Sequence, residues 1–512
     1  MSSLFDQGPP PPCPSPFNMA AHVLAHAPAQ PDKVALAVLG LSRAERWSYG
    51  KLEAAVRGTA TGLLQQGLSA GDRVLMRLGN TVEFPIAYLA CIAVDLVPVP
   101  TSSQLTASEV AKMAEGLQPA AVLQGTGIAC PDLPGVTVID QPLLEEMRDL
   151  PPAAYAMGDP ERLAYIVYTS GTSGNPRAVC HAHRAIWARR MMHEGWYGLT
   201  SEDRLMHAGA FNWTYTLGTG LMDPWSVGAT ALIPAEGIGP EALPLLMKRH
   251  EASIFAAAPG VYRKILGKGA PLVLPKLRHG LSAGEKMGAA IHEDWRKATG
   301  TEVYEAFGMS ECSTFLSGSP TRPAAEGALG APQPGRRVAI VDEDGAPVET
   351  GQPGVIAIDR RDPGLMLGYR GAEEETAARF RGEWFLTGDM GTMDESGQVT
   401  YLGRNDDMMN AGGYRVSPLE VEHALADLPG ITEIGVTDVE VKQDARLIVA
   451  FYTSAAPLDE AALLAAAAER LARYKQPRAF LRIDTLPRNP NGKLQRRALA
   501  PLWDKANKGP NG

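Results

Sequence analysis

The sequence predicts an α/β protein built from more than one packed unit, and three observations carry that prediction. At 512 residues the chain is too long for one compact core, since domains run to roughly 100 to 200 residues each. Short apolar runs alternate with helix-like stretches, the pattern of layered α/β architecture. Between Gly327 and Tyr401 the texture changes to brief β-like runs separated by Gly, Pro and Asp turns. The 45% apolar and 21% charged residues are ordinary for a soluble chain, and 53 Gly and 41 Pro imply many turns.

The elements follow in order. Residues 1–16 form a Pro-rich arm that cannot hold a helix, because each Pro removes a backbone donor and fixes its own φ. From Phe17 to about Leu150, a strand at Arg73–Leu78, a helix at Phe84–Val94 and a strand at Ala120–Leu123 make a first α/β subdomain. A second begins with the strand-like LAYIVY, Leu163–Tyr168, and runs past Phe307, with strands at Ala229–Ile233 and Ser253–Ala257. RVAIV, GVIAI and QVTYL then read as a small β-rich subdomain. After a boundary near Arg404 to Asp406, a mixed segment carries a helix candidate at Leu458–Arg473. The expected domains are therefore 17–404 and 405–512.

Composition also excludes some functions. A formal net charge of −9 without a long basic block gives no field for a polyanion, so nucleic acid is not an expected partner. No apolar run reaches the ~18 to 20 residues of a membrane span, and the first residues lack both a basic leader and an apolar core, so the cytoplasm is the expected compartment. The five Cys are scattered without paired spacing, as reduced thiols would be. His22 with His26, and His181 with His183, could be drawn as metal pairs, but no acidic or Cys cluster completes either set.

The chemistry centres on TSGTSGNPR, Thr169–Arg177, which directly follows a strand-like run. At such a strand end, backbone amides can turn toward a polyphosphate. Gly171 and Gly174 allow close approach, Thr169, Ser170, Thr172 and Ser173 offer hydroxyls, and Arg177 adds a fixed charge. A Ser/Gly-rich surface turn is the competing reading of these residues alone. No GxxxxGK[ST] loop occurs anywhere in the chain.

The order of residues in this run resembles the signature loop of the adenylate-forming superfamily, the acyl-CoA synthetases, peptide-synthetase adenylation domains and luciferase. Arg177 and Ala178 stand where that family usually has Lys and Gly. Further elements resemble the family in the expected order. YEAFGMSE, Tyr304–Glu311, resembles the element in which Glu305, Ala306, Phe307 and Gly308 border adenine, Ser310 approaches the α-phosphate, and Glu311 with Thr172 holds Mg²⁺. Ala283, Gly284, Glu285 and Lys286 resemble the segment lining adenine and acyl pockets. Asp389 and Arg404 stand at the ribose positions, with Tyr401 among the adenosine-binding candidates, Asp406 at the domain hinge, and Gly412 and Gly413 at the CoA tunnel. Lys493 in NPNGKLQRR occupies the place of the adenylation lysine, and its exposed context makes it a candidate for acylation. His207, Phe211, Trp213, Thr214 and Tyr215 resemble the acyl-site element, with a packed core histidine as the competing reading of His207.

The resemblance implies a large N-terminal domain of two α/β subdomains plus a small β-rich subdomain, and a smaller, mobile α+β C-terminal domain. It implies an ATP-dependent carboxylic acid:CoA ligase with catalytic Lys493, Glu311 and Arg404, using ATP, Mg²⁺ and coenzyme A, and it leaves a homodimer open. Asn212 lacks the charge that pairs with an α-amino group in peptide-synthetase domains, which weighs against an α-amino acid. The SAGE segment, the aromatic run at 211–215 and TFLSGSP, Thr314–Pro320, are more similar to benzoate and medium-chain acyl-CoA ligases, which implies an aryl or medium-chain acid. Transfer to a carrier protein and a non-catalytic nucleotide-binding homologue are the alternatives.

Overall fold

The computed structural model describes residues 2–169, 177–267, 271–284, 286–404, 407, 409–411, 414–442, 445–473, 475–488 and 494–507. Two compact units emerge: one of residues 5–338 and 358–385, the other of residues 1–4, 339–357 and 386–512.

In the larger unit, a four-stranded parallel sheet runs Val97–Pro100, Arg73–Arg77, Ala121–Gln124, Thr137–Asp140. VPVP sits at its edge, where a missing N–H interrupts no ladder. The helix Glu83–Ala93 is apolar nearly all round, so it is buried along its whole length, and Pro85 falls in its first turn where no intrahelical donor is lost.

A nine-stranded sheet is parallel through its centre, in the order Val303–Met309, His279–Ala283, Ile254–Ala256, Arg204–His207, Thr230–Pro234, Val34–Leu39. Its strands are near-continuous apolar runs, as burial on both faces requires. Val34–Leu39 comes from the first stretch of sequence yet pairs with Thr230–Pro234. The two expected α/β subdomains therefore share a strand.

Leu163–Thr169 forms as expected but joins neither parallel sheet. It pairs antiparallel with Arg177–Ala182, which pairs in turn with Gly368–Tyr369. The arm before Phe17 has no helix and lies against the unit, where the Trp187 indole N–H donates to the Pro11 carbonyl at 2.8 Å.

The strands Val338–Val341, Gly354–Asp359, Trp384–Met393 and Val399–Arg404 lie in that order in one sheet, and the smaller unit takes their residues 339–341, 354–357, 386–393 and 399–404. Its later part pairs Glu433–Lys442 with Ala445–Thr453 antiparallel, and Ala479–Arg482 joins parallel. Helices Pro418–Leu425 and Glu460–Arg470 pack on this sheet through Val421, Leu425, Leu463 and Ala467. The expected helix at Leu458–Arg473 is shorter at both ends, because the Asp459 carboxylate caps it and Leu471 turns extended.

Candidate active site

The phosphate candidates are organised by one strand, Arg177–Ala182. Its first residue pairs in register with Thr169, so the two ends of the run Thr169–Arg177 lie side by side. Ser170, Gly171, Thr172, Ser173 and Gly174 lie outside the described residues. From this strand His181 donates its Nε2 proton to the Ser310 carbonyl at 2.7 Å. A carbonyl can only accept, so the acceptor fixes the tautomer. The ring stacks on Tyr165 with centroids 4.9 Å apart.

On the strand's other edge, Leu367 N–H donates to the Cys180 carbonyl at 2.7 Å and Arg370 N–H to the Ala178 carbonyl at 2.9 Å. That pairing carries Tyr369 to Glu311, whose Oε1 accepts the phenol proton at 2.7 Å. The Met366 N–H also donates to the Glu311 carbonyl at 2.7 Å. Thr169, Arg177, Ser310 and Glu311 are thus gathered around a single strand. Arg177 itself is engaged by Glu375 in a two-pronged pair, both contacts at 2.6 Å.

The adenine candidates lie on two neighbouring strands, with Ala283 opposite Ala306 and Ser282 opposite Glu305. Gly308 sits at a bulge where any Cβ would meet the Ser313 carbonyl oxygen at 2.2 Å, so no side chain fits there. The Glu305 carboxylate is taken by the protein: it accepts Met287 N–H at 2.7 Å and faces His292 Nε2 at 2.9 Å. It braces the segment carrying the exposed Lys286, while Glu285 lies outside the described residues.

The acyl candidates divide. Phe211 is wholly buried in the core with Leu217, Leu221 and Trp225. His207, Trp213 and Tyr215 meet edge to face, with centroids 4.5 Å apart for His207 and Tyr215 and 5.1 Å for Trp213 and Tyr215. Ala283 and Ala306 belong to the apolar cluster that Tyr215 packs against, and Thr214 is exposed. His207 Nδ1 accepts Gly209 N–H at 3.0 Å, which puts the ring proton on Nε2. Burial pushes its pKa down to about 3, so the ring is neutral. Gly220 leaves it room, since a Cβ there would come within 2.7 Å of the His207 Cβ.

In the smaller unit, Asp389 and Arg404 face each other in register across an antiparallel pair. Asp389 is 4% exposed. Its Oδ1 accepts the Tyr401 hydroxyl at 3.1 Å and lies 3.6 Å from Arg404 Nε. Asp406, Gly412, Gly413 and Lys493 lie outside the described residues.

His181 and Tyr369 escaped the sequence reading. The sequence offers His181 only as a metal-ligand candidate; its signal is a lone imidazole among the apolar residues that follow Arg177 in the strand. Tyr369 lies in a two-residue strand, too short for any periodicity. Also unforeseen was Arg189, which grips Asp223 through Nε at 2.7 Å and Nη2 at 2.6 Å and binds together the turns carrying Tyr197 and Thr219.

Burial makes the larger unit acid-sensitive. It lowers the pKa of His22, His181, His193 and His279 to about 4. A group whose folded pKa lies below its unfolded value of about 6.5 takes up its proton on unfolding. Their stabilisation is therefore complete above about pH 6.5 and is lost as pH falls toward about 4. His181 alone accounts for about 2 kcal/mol between about pH 7 and pH 5. Urea unfolding followed by tryptophan fluorescence at those two values is expected to show the midpoint falling; an unchanged midpoint would count against neutral burial.

Comparison with known proteins bears on the same residues. The profile of the AMP-binding enzyme family matches residues 23–370, and that of the AMP-binding enzyme C-terminal domain matches residues 420–493. The chain is 30% identical over 510 residues to a 3-hydroxybenzoate–CoA ligase of Aromatoleum sp. (strain CIB), covering 95% of this chain and 97% of that one. It is 28% identical over 496 residues to a mitochondrial acyl-coenzyme A synthetase of Mus musculus, covering 89% and 84%. Among solved structures it resembles a benzoate CoA ligase from Burkholderia xenovorans LB400, with a TM-score of 0.81, 28% identity, and coverage of 94% and 100%.

Proposed function

The chain belongs to the AMP-binding enzyme family, and from that premise we propose that it is an ATP-dependent carboxylic acid:CoA ligase acting on an aryl or medium-chain acid. The observation that carries the reading is the strand Arg177–Ala182. It holds the loop's exit, the Ser310 backbone and, through its partner strand, the Glu311 carboxylate in one place. Relatives named for 3-hydroxybenzoate, benzoate and acyl-coenzyme A support the acid class. So does the neutral, ring-lined setting of His207.

A carboxylate is a poor acyl donor because oxide would have to leave, so the first step joins it to the α-phosphorus of ATP and expels pyrophosphate. That in-line displacement needs positioning and charge neutralisation more than proton transfer. Arg177 and Lys493 supply positive charge and the amides of residues 170–174 hydrogen-bond donors, with Lys493 also holding the carboxylate oxygen. Gly284, Lys286, Glu305, Ala306, Phe307 and Gly308 border adenine, and Asp389, Tyr401 and Arg404 hold the ribose. The donors present fit Mg²⁺: Glu311 keeps one oxygen on Tyr369, while its Oε2 accepts no hydrogen bond among the described residues, and this metal commonly takes one carboxylate plus phosphate oxygens. Bound there with Thr172, it would neutralise charge on the departing pyrophosphate.

In the second step the CoA thiolate attacks the acyl-adenylate and AMP leaves. Residues 405–512 turn about Asp406 relative to 17–404, and Gly412 and Gly413 leave space for the pantetheine arm. The cytoplasm, which supplies ATP and CoA, is the compartment this reading assigns, and a homodimer is compatible with it.

A panel of aryl and medium-chain acids, scored for AMP release and CoA thioester, tests the proposal. Benzoates or medium-chain acids should give both products in equal amounts. AMP release that needs a carrier protein instead of CoA would transfer the activity to carrier loading. No AMP release with any acid would leave a nucleotide-binding homologue without catalysis.

A further inference from the structure

The pair Arg177–Glu375 sits where the family signature usually has Lys, and its geometry is built in. Glu375 lies in the short helix Glu373–Ala378, directly after the strand Gly368–Tyr369. That strand pairs with the one Arg177 begins, Tyr369 opposite Val179. The Thr376 hydroxyl accepts Tyr369 N–H at 2.9 Å, pinning the helix to the strand. Glu375 is thereby fixed opposite Arg177, and its two oxygens take Nε and Nη2 at 2.6 Å each. A guanidinium held fork to fork has its charge satisfied and its direction set. Yet the side chains are 30% and 50% exposed, so solvent screens the pair and a more highly charged anion can displace the carboxylate.

Resting on the ligase reading above, we propose that Glu375 is a positioning residue for the phosphate half of the reaction. It parks Arg177 beside the loop, yields it to the polyphosphate of ATP, and reclaims it as pyrophosphate leaves. The exchange trades one anionic partner of Arg177 for another, and no covalent bond is made or broken. Glu373 and Glu374, exposed in the same helical turn, add negative charge on the side to which Arg177 returns.

The test measures magnesium pyrophosphate affinity by calorimetry on the full chain, alongside the ATP KM for AMP release. Glu375→Gln is expected to tighten pyrophosphate binding and lower the ATP KM by about twofold to fivefold, the range a half-exposed ion pair carries. Glu375→Asp should fall between, and Arg177→Ala should shift both constants the other way. In the double variant Arg177→Ala/Glu375→Gln, removing Glu375 should have no further effect, as a pairwise coupling requires. Unchanged pyrophosphate affinity in Glu375→Gln, or an equal shift when Arg177 is already gone, overturns the proposal. A parent chain that binds pyrophosphate but forms no AMP with any acid would instead overturn the ligase reading, leaving the affinity comparison to decide this one.

Discussion

Replacing Glu311 by Gln is expected to lower acid-dependent pyrophosphate exchange by about a hundredfold to a thousandfold, the usual loss when one preorganised charge at a transition state is removed. The substitution keeps the shape of the side chain and one oxygen for the Tyr369 hydroxyl, which sits 2.7 Å from Oε1. The backbone at Glu311 is held separately by Met366, and its neighbour Ser310 by His181. Fold and placement should therefore survive while the negative charge is lost, and an unchanged thermal midpoint checks this. Thioester formation from supplied acyl-adenylate expels no pyrophosphate and should fall much less. An exchange rate within about threefold of the parent would remove Glu311 from the phosphate site.

Lys493→Ala is expected to separate the two half-reactions more sharply. In the proposed mechanism its ammonium bridges the attacking carboxylate and the α-phosphate, so both orientation and charge are lost. Acid-dependent pyrophosphate exchange should drop by about a hundredfold or more, while thioester formation from supplied acyl-adenylate stays within about tenfold. Equal losses in both assays would sink that division of labour.

Much of this fold was legible because its signals were local. The strand at Arg73–Arg77, the helix at Glu83–Ala93 and the strand at Gly354–Asp359 each carry an apolar run of the right length between turn residues. Pairing partners were not legible. LAYIVY reads as a strand, but nothing in it says that its neighbours will be Arg177–Ala182 and Gly368–Tyr369 rather than a parallel sheet. The site divides in the same way. Glu311 and Asp389 stand inside distinctive motifs, whereas Tyr369, His181 and Glu375 act through contacts that join distant parts of the chain. Phe211 shows the reverse limit: an aromatic run names candidates, but only packing decides that this ring serves the core while Trp213 and Tyr215 meet His207.

The strand Val34–Leu39 carries a consequence for how the protein is made. Its partner Thr230–Pro234 has not yet been translated when it leaves the ribosome. An apolar strand with an unfilled edge must wait, shielded on one side by its own hairpin with Ala44–Ser48. The nine-stranded sheet closes only after most of the larger unit has emerged, so a nascent chain halted before Thr230 exposes a sticky edge and is a natural client for chaperones. Splitting the gene between the two α/β stretches would accordingly yield fragments that need each other to fold.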